Sequence, residues 1–273
     1  MIAMFDSFFV PIIAAGLIGG SSTGLLGVYI VGMRMPFVGV CISHAAMAGA
    51  VFGMLLGWPE LPCALAAAAA ATAVLGVIPP GRVRLDVNVA MGVLFPLMMG
   101  LAFLGIGLMT GPRTGVLSLL WGALLFVNVR DVWMITAAGA VLLLFSIVFA
   151  KEMRAILFSR FLAGATGVHQ QLVYILFLAL CGLVVTVNLQ TVGGLMIFAL
   201  IANPAAGALQ LGRGYRSICF LAAGMGGISA LGGLLMAYEL DLPTGACIVL
   251  VSTALFLLCV LWRRVQGQWG HGE

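Results

Sequence analysis

Charge is what this sequence has least of. Lysine and arginine number 12 and aspartate and glutamate 8 among 273 residues, so charged side chains make up 7% of the chain. A soluble domain carries about 25%. So few charges cannot clothe a surface in water, which excludes soluble and disordered classes. The arginines are spread over loops instead of gathered in a patch, so no nucleic-acid partner is expected. Lys151 is the only lysine, and no G-x-x-x-x-G-K-[ST] occurs, so the chain has no P-loop ATPase site of its own. H-E-x-x-H and G-x-S-x-G are also missing, which removes the usual zinc- and serine-hydrolase motifs. None of the six cysteines (41, 63, 181, 219, 247, 259) forms C-x-x-C, and all lie in apolar runs, so no disulfide framework is expected. The N-terminal stretch lacks a basic region and carries Asp6, so its apolar run is expected to remain as a span.

What is present is apolar residue, 63% of the chain, with 37 glycines that let membrane helices approach closely. The class is all-α, a polytopic transmembrane bundle. At about 20 apolar residues per crossing, spans are expected near 8–31, 37–57, 61–80, 87–110, 131–150, 170–188, 191–211, 217–238 and 244–262. That makes nine, with eight as the alternative. Residues 114–127 are apolar but short and read as a re-entrant or interfacial segment. With the Arg34 loop cytoplasmic, Arg34, Arg82, Arg84, Lys151, Arg154, Arg160, Arg213, Arg216, Arg263 and Arg264 lie inside and only Arg113 and Arg130 outside. This positive-inside bias puts the N-terminus out and the C-terminus in. Glu239 and Asp241 then belong to an outer mouth whose carboxylates attract cations.

Within this apolar chain the second span carries His44. An ionisable side chain inside a membrane is costly and marks function. Ala45, Gly49, Gly53 and Gly57, at i+4 spacing, form a packing stripe beside it, so His44 is expected to face protein or a cavity. Cys41 lies one turn earlier; a thiolate and an imidazole are a soft pair suited to zinc or copper. Asn203-Pro204 in the seventh span suggests a broken helix at membrane depth, since proline frees the carbonyl of Leu200. Asp86 and Asn88 stand at the start of the fourth span, where either can cap it. Residues 151–169 mix apolar and basic side chains, with Phe158, Phe161 and Leu162 on one face of a short amphipathic helix that suits a membrane surface or a partner's groove.

Three stretches carry a family resemblance. Phe37-Val38-Gly39-Val40-Cys41-Ile42-Ser43-His44-Ala45 is similar to F-L-G-D-A-L-S-H-A. Val192 to Leu200 followed by Asn203-Pro204-Ala205-Ala206 is similar to V-G-V-L-L-V-x-A-L-L-x-x-P-A-A, and Tyr238 to Ala246 is similar to S-Y-x-x-D-x-P-x-G-A. In this order and spacing they resemble the permease subunit of the ABC-3 importers of zinc, manganese and iron. The resemblance implies a homodimer in the bacterial inner membrane. It also implies cytoplasmic ATPase subunits that bind the ATP, an extracytoplasmic metal-binding protein, no permanent cofactor and a divalent metal as cargo. It implies one permease domain over 1–273, with 151–169 as the coupling segment and Phe158, Phe161, Leu162 and Gly164 meeting the ATPase. The expected translocation path holds His44, Cys41, Asn203 and Asn88; the resemblance implies His44 as a metal contact, and the residues themselves offer Cys41 as a second, weaker donor.

Two departures stand out. The family's aspartate one turn before the histidine is Val40 here, and an acidic position at the start of the fourth span is Asn88. Loss of carboxylates disfavours manganese, a hard ion, and leans toward zinc. Two other classes remain open on the residues alone: a membrane redox or metal enzyme using Cys41 and His44, and a proton-driven secondary transporter.

Overall fold

In hydrocarbon every backbone N–H and C=O must be satisfied internally, and an α-helix does this within one segment. The computed structural model describes residues 9–78, 86–109, 115, 119, 122, 124, 127–165, 169–194 and 197–269. Among these residues the regular elements are helices, with no strand. In chain order they are α1 (Phe9–Gly32), α2 (Val38–Leu56), α3 (Glu60–Val77), α4 (Val87–Leu108), α5 (Val129–Val148), α6 (Ala150–Phe158), α7 (Arg160–Ala165), α8 (Gln170–Val192), α9 (Ile197–Leu211), α10 (Tyr215–Leu240) and α11 (Thr244–Trp269). Eight are long and apolar enough to cross a membrane: α1 to α5, α8, α10 and α11.

Local chemistry sets several helix ends. Asp86 caps α4, its Oδ1 accepting the Val87 N–H at 2.7 Å. Asp131 reaches back from the first turn of α5, Oδ2 accepting the Asn128 N–H at 2.9 Å. α2 stops at Gly57, whose φ of 70° is a left-handed C-cap.

The expected seventh span, 191–211, is corrected. α8 continues to Val192, Gly193 turns at φ 91°, and α9 is described over Ile197–Leu211. That φ suits glycine and ends the helix. The 15 residues of α9 rise about 22 Å, short of a hydrocarbon core of about 30 Å. Gly193 and Gly194, after the end of α8, are non-helical backbone, which within a membrane is tolerated only where protein covers it. That cover is visible: the Gly194 N–H donates to the Leu119 carbonyl at 2.8 Å, and the Gly194 carbonyl accepts Ser43 Oγ at 3.3 Å. The expected break at Asn203-Pro204 is absent; α9 runs through Pro204 as helix. The re-entrant reading of 114–127 lies outside the described residues apart from isolated positions.

α2 and α8 are the most enclosed spans, and α4 and α5 expose most of their surface. The small-residue stripe packs as expected: a side chain at Gly49 would strike the Cys63 carbonyl, and one at Gly53 the Cys63 side chain, both on α3. α1 crosses α10 backbone to backbone at Gly20, Gly24 and Gly226. One end of the bundle gathers arginines. Arg34 and Arg160 line one cleft there, and Arg154 and Arg216 another.

Candidate functional site around His44

α2 is enclosed because its neighbours α3, α4 and α8 cover it. His44 is consequently only 3% exposed, and Cys41, one turn away, is fully buried. The imidazole Nδ1 stands 2.9 Å from the Val40 carbonyl. A carbonyl only accepts, so Nδ1 carries the proton and Nε2 keeps its lone pair. Ser43 Oγ also donates to the Val40 carbonyl at 2.9 Å and lies 3.4 Å from Nδ1. Phe95 of α4 meets the imidazole edge to face, with centroids 5.0 Å apart and planes at 84°.

Position 40 thus matters through its backbone. Its side chain is a valine that ligates nothing, while its carbonyl fixes the tautomer and orientation of His44. A histidine held this way at one nitrogen is poised to use the other as a ligand or acceptor. Among the described residues no group of three or more His, Cys, Asp or Glu is placed to hold a metal ion. The site is therefore one oriented imidazole, one buried thiol and an aromatic cover.

The other expected site residues have local partners of their own. Asn203 Nδ2 donates to Ser252 Oγ at 3.1 Å and Thr253 Oγ1 at 3.0 Å, tying α9 to α11. Asn88 is exposed on the first turn of α4, its Nδ2 donating to Asp86 Oδ2 at 3.1 Å. Glu239 and Asp241 are exposed at the end of α10, where Asp241 takes φ 56° as its left-handed cap.

Residues 150–165 form two short helices instead of one. Ser159, at φ −164° and ψ 117°, separates α6 from α7. Met153 and Ile156 of α6 face inward, and Phe158 is 84% exposed. Ala163 is buried and Gly164 exposed; the side chains of Phe161 and Leu162 lie outside the described residues. The anchor of this segment is Arg160, which the sequence marks only as one of the inside arginines. Arg160 donates from Nε to Gln170 Oε1 at 3.0 Å and from Nη2 to Gln171 Oε1 at 2.7 Å, and its guanidinium covers the Tyr174 ring. Burial lowers the Arg160 pKa from its usual value, and Tyr174 opposes that shift. Gln171 passes the link on, its Nε2 donating to the Gly76 carbonyl of α3 at 2.7 Å.

Two more missed residues carry the signal that picked out His44, a polar group in an apolar span. Thr186 Oγ1 and Asn188 Oδ1 of α8 are buried with no hydrogen-bond partner among the described residues. Phe95 carried no such signal, being one aromatic in an apolar helix.

Comparison with known proteins gives a consistent picture. Residues 5–263 match the model of the ABC 3 transport family. The chain is 32% identical over 264 residues to a manganese transport system membrane protein, MntC, of Halalkalibacterium halodurans, covering 96% of this chain and 89% of that protein. It is 30% identical to a zinc transport system membrane protein, TroC, of Treponema pallidum, covering 90% of this chain and 89% of that one. Among solved structures, PsaBC from Streptococcus pneumoniae in complex with Fab superposes with a TM-score of 0.83 at 26% identity, covering 95% of both chains.

Proposed function

The chain belongs to the ABC 3 transport family, and on that premise we propose that it is the permease subunit of an ATP-driven importer of a divalent transition metal. It is a multi-pass membrane protein, and ATP hydrolysis in such systems resides in a separate subunit, in keeping with the missing P-loop. The working assembly in this reading is a homodimer in the bacterial inner membrane. It is joined by cytoplasmic ATPase subunits and fed by an extracytoplasmic metal-binding protein. The two relatives described above carry manganese and zinc in their names, which supports a first-row divalent metal as cargo.

The observation that carries the reading is the His44 geometry. The Val40 carbonyl holds Nδ1 at 2.9 Å, which leaves Nε2 as a directed lone pair inside the bundle. A transported ion needs contacts that capture it without trapping it. One imidazole, with no group of three or more His, Cys, Asp or Glu around it among the described residues, is such a transient contact. Nitrogen and sulfur donors suit zinc better than manganese, so zinc is the favoured cargo, with Cys41 as the second donor within one turn. Neither an enzyme nor a proton-driven carrier draws support from the family match.

The test is His44→Ala in the assembled importer. Metal accumulation in cells is expected to vanish while assembly and basal ATP hydrolysis persist. Uptake at the wild-type rate would remove His44 from the path. Competition among zinc, manganese and iron in the wild type then identifies the cargo.

A further inference from the structure

A cleft of about 430 Å³ opens between α1, α5, α6 and α10 at the arginine-rich end of the bundle. Its polar rim is made by Arg154 and Arg216, and among the described residues no acidic side chain lines it. Its walls toward the bundle exterior are Leu143 and Ile147 of α5 and Phe220 of α10, which are 54%, 66% and 81% exposed. Arg154 lies 4.5 Å over the Tyr215 ring, and the Tyr215 hydroxyl pairs with that of Tyr29 at 2.8 Å.

We propose that this cleft binds one anionic phospholipid, its phosphate between Arg154 and Arg216 and its acyl chains along Leu143, Ile147 and Phe220. Three features select that ligand. Two guanidinium groups without a carboxylate in the cleft match a phosphate, which accepts paired N–H bonds from such forks. They stand where spans meet headgroups: Arg154 six residues beyond the end of α5 at Val148, and Arg216 in the first turn of α10. Below them the exposed apolar walls belong to spanning helices, so hydrocarbon is what lies against them. Basic pockets between transmembrane helices recognise anionic headgroups by this combination. The bound lipid clamps α6 to α10, which the Arg154–Tyr215 stacking already joins. The inference requires only that the chain spans a bilayer, so it stands or falls separately from the metal reading.

The full permease with its ATPase subunits is delipidated in detergent and titrated with phosphatidylglycerol, phosphatidylcholine of the same chains, and inorganic phosphate. Native mass spectrometry counts the adducts. Phosphatidylglycerol is expected to bind once per permease chain, about tenfold tighter than phosphatidylcholine, with phosphate failing to displace it. Arg154→Gln with Arg216→Gln is expected to erase the preference. Arg216→Gln alone, at an exposed helix start, should weaken it and serves if the double variant does not fold. Equal retention of both lipids, displacement by phosphate, or a preference that survives both substitutions overturns the proposal. So does disulfide cross-linking of Phe220→Cys between two permease chains, which would show a second copy in the cleft.

Discussion

The guanidinium carbon of Arg160 stands 3.5 Å from the centroid of the Tyr174 ring, and the Tyr174 hydroxyl in turn lies 3.4 Å from Met35 Sδ. Met35 precedes α2, and its carbonyl accepts the Val38 N–H at 3.1 Å where that helix begins. The short helices that follow α5 are thereby joined, residue by residue, to the helix that bears His44. A displacement of α7 by a partner at the arginine-rich end has a mechanical route to the site.

Arg160→Ala cuts that route. Metal accumulation is expected to fall about tenfold, the effect of about 1.4 kcal/mol, while ATP hydrolysis by the assembled complex persists. Arg160→Lys should fall between, because an ammonium keeps attraction to the ring but cannot serve both glutamines as a fork. Uptake and hydrolysis measured in the same vesicles decide the matter; parallel loss of both would mean that Arg160 only holds the fold together.

Val40→Asp returns a carboxylate to the turn before His44. An oxygen donor beside the imidazole favours the harder ion, so manganese should compete better against zinc for uptake than in the wild type. The check is the ratio of the two inhibition curves. An unchanged ratio would show that ions do not pass within reach of position 40.

Much of this architecture could be read from residue order. Apolar run length located the long spans, and the glycine stripe put His44 against protein because Gly49 and Gly53 do meet Cys63. Weight placed on Pro204 misplaced the helix break. A proline within a helix forfeits one hydrogen bond, whereas Gly193 adopts a φ of 91° that ends α8 outright. Phe95 and Tyr174 stayed hidden because an aromatic in an apolar span announces nothing until a partner is placed beside it. The coupling residues were sought on one helical face, but Ser159 divides that face and Arg160 does the anchoring.

Asn203 offers a discriminating substitution. Its two bonds to Ser252 and Thr253 tie α9 to α11, and interhelical bonds of this kind contribute about 0.6–2 kcal/mol in membranes. Asn203→Leu is expected to lower the melting temperature of the purified permease while leaving the order of preference among metals untouched. A changed preference at unchanged stability would assign Asn203 a direct role in the path.

Gly226 and Gly224 lie two residues apart on α10 and should respond oppositely to alanine. A Cβ at Gly226 would drive into the carbonyl of Gly20, where α1 and α10 touch through backbone and neither can yield. A Cβ at Gly224 meets nothing within 4 Å. Gly226→Ala is therefore expected to cost about 1–3 kcal/mol, the usual penalty of overpacking, and to lower the melting temperature. Gly224→Ala should hold or raise it, since glycine inside a helix is about 0.5–1 kcal/mol less favourable than alanine. Thermal unfolding of both variants in the same detergent measures the difference. Equal melting temperatures would mean that α1 and α10 separate easily, and that their contact is a sliding surface instead of a fixed crossing.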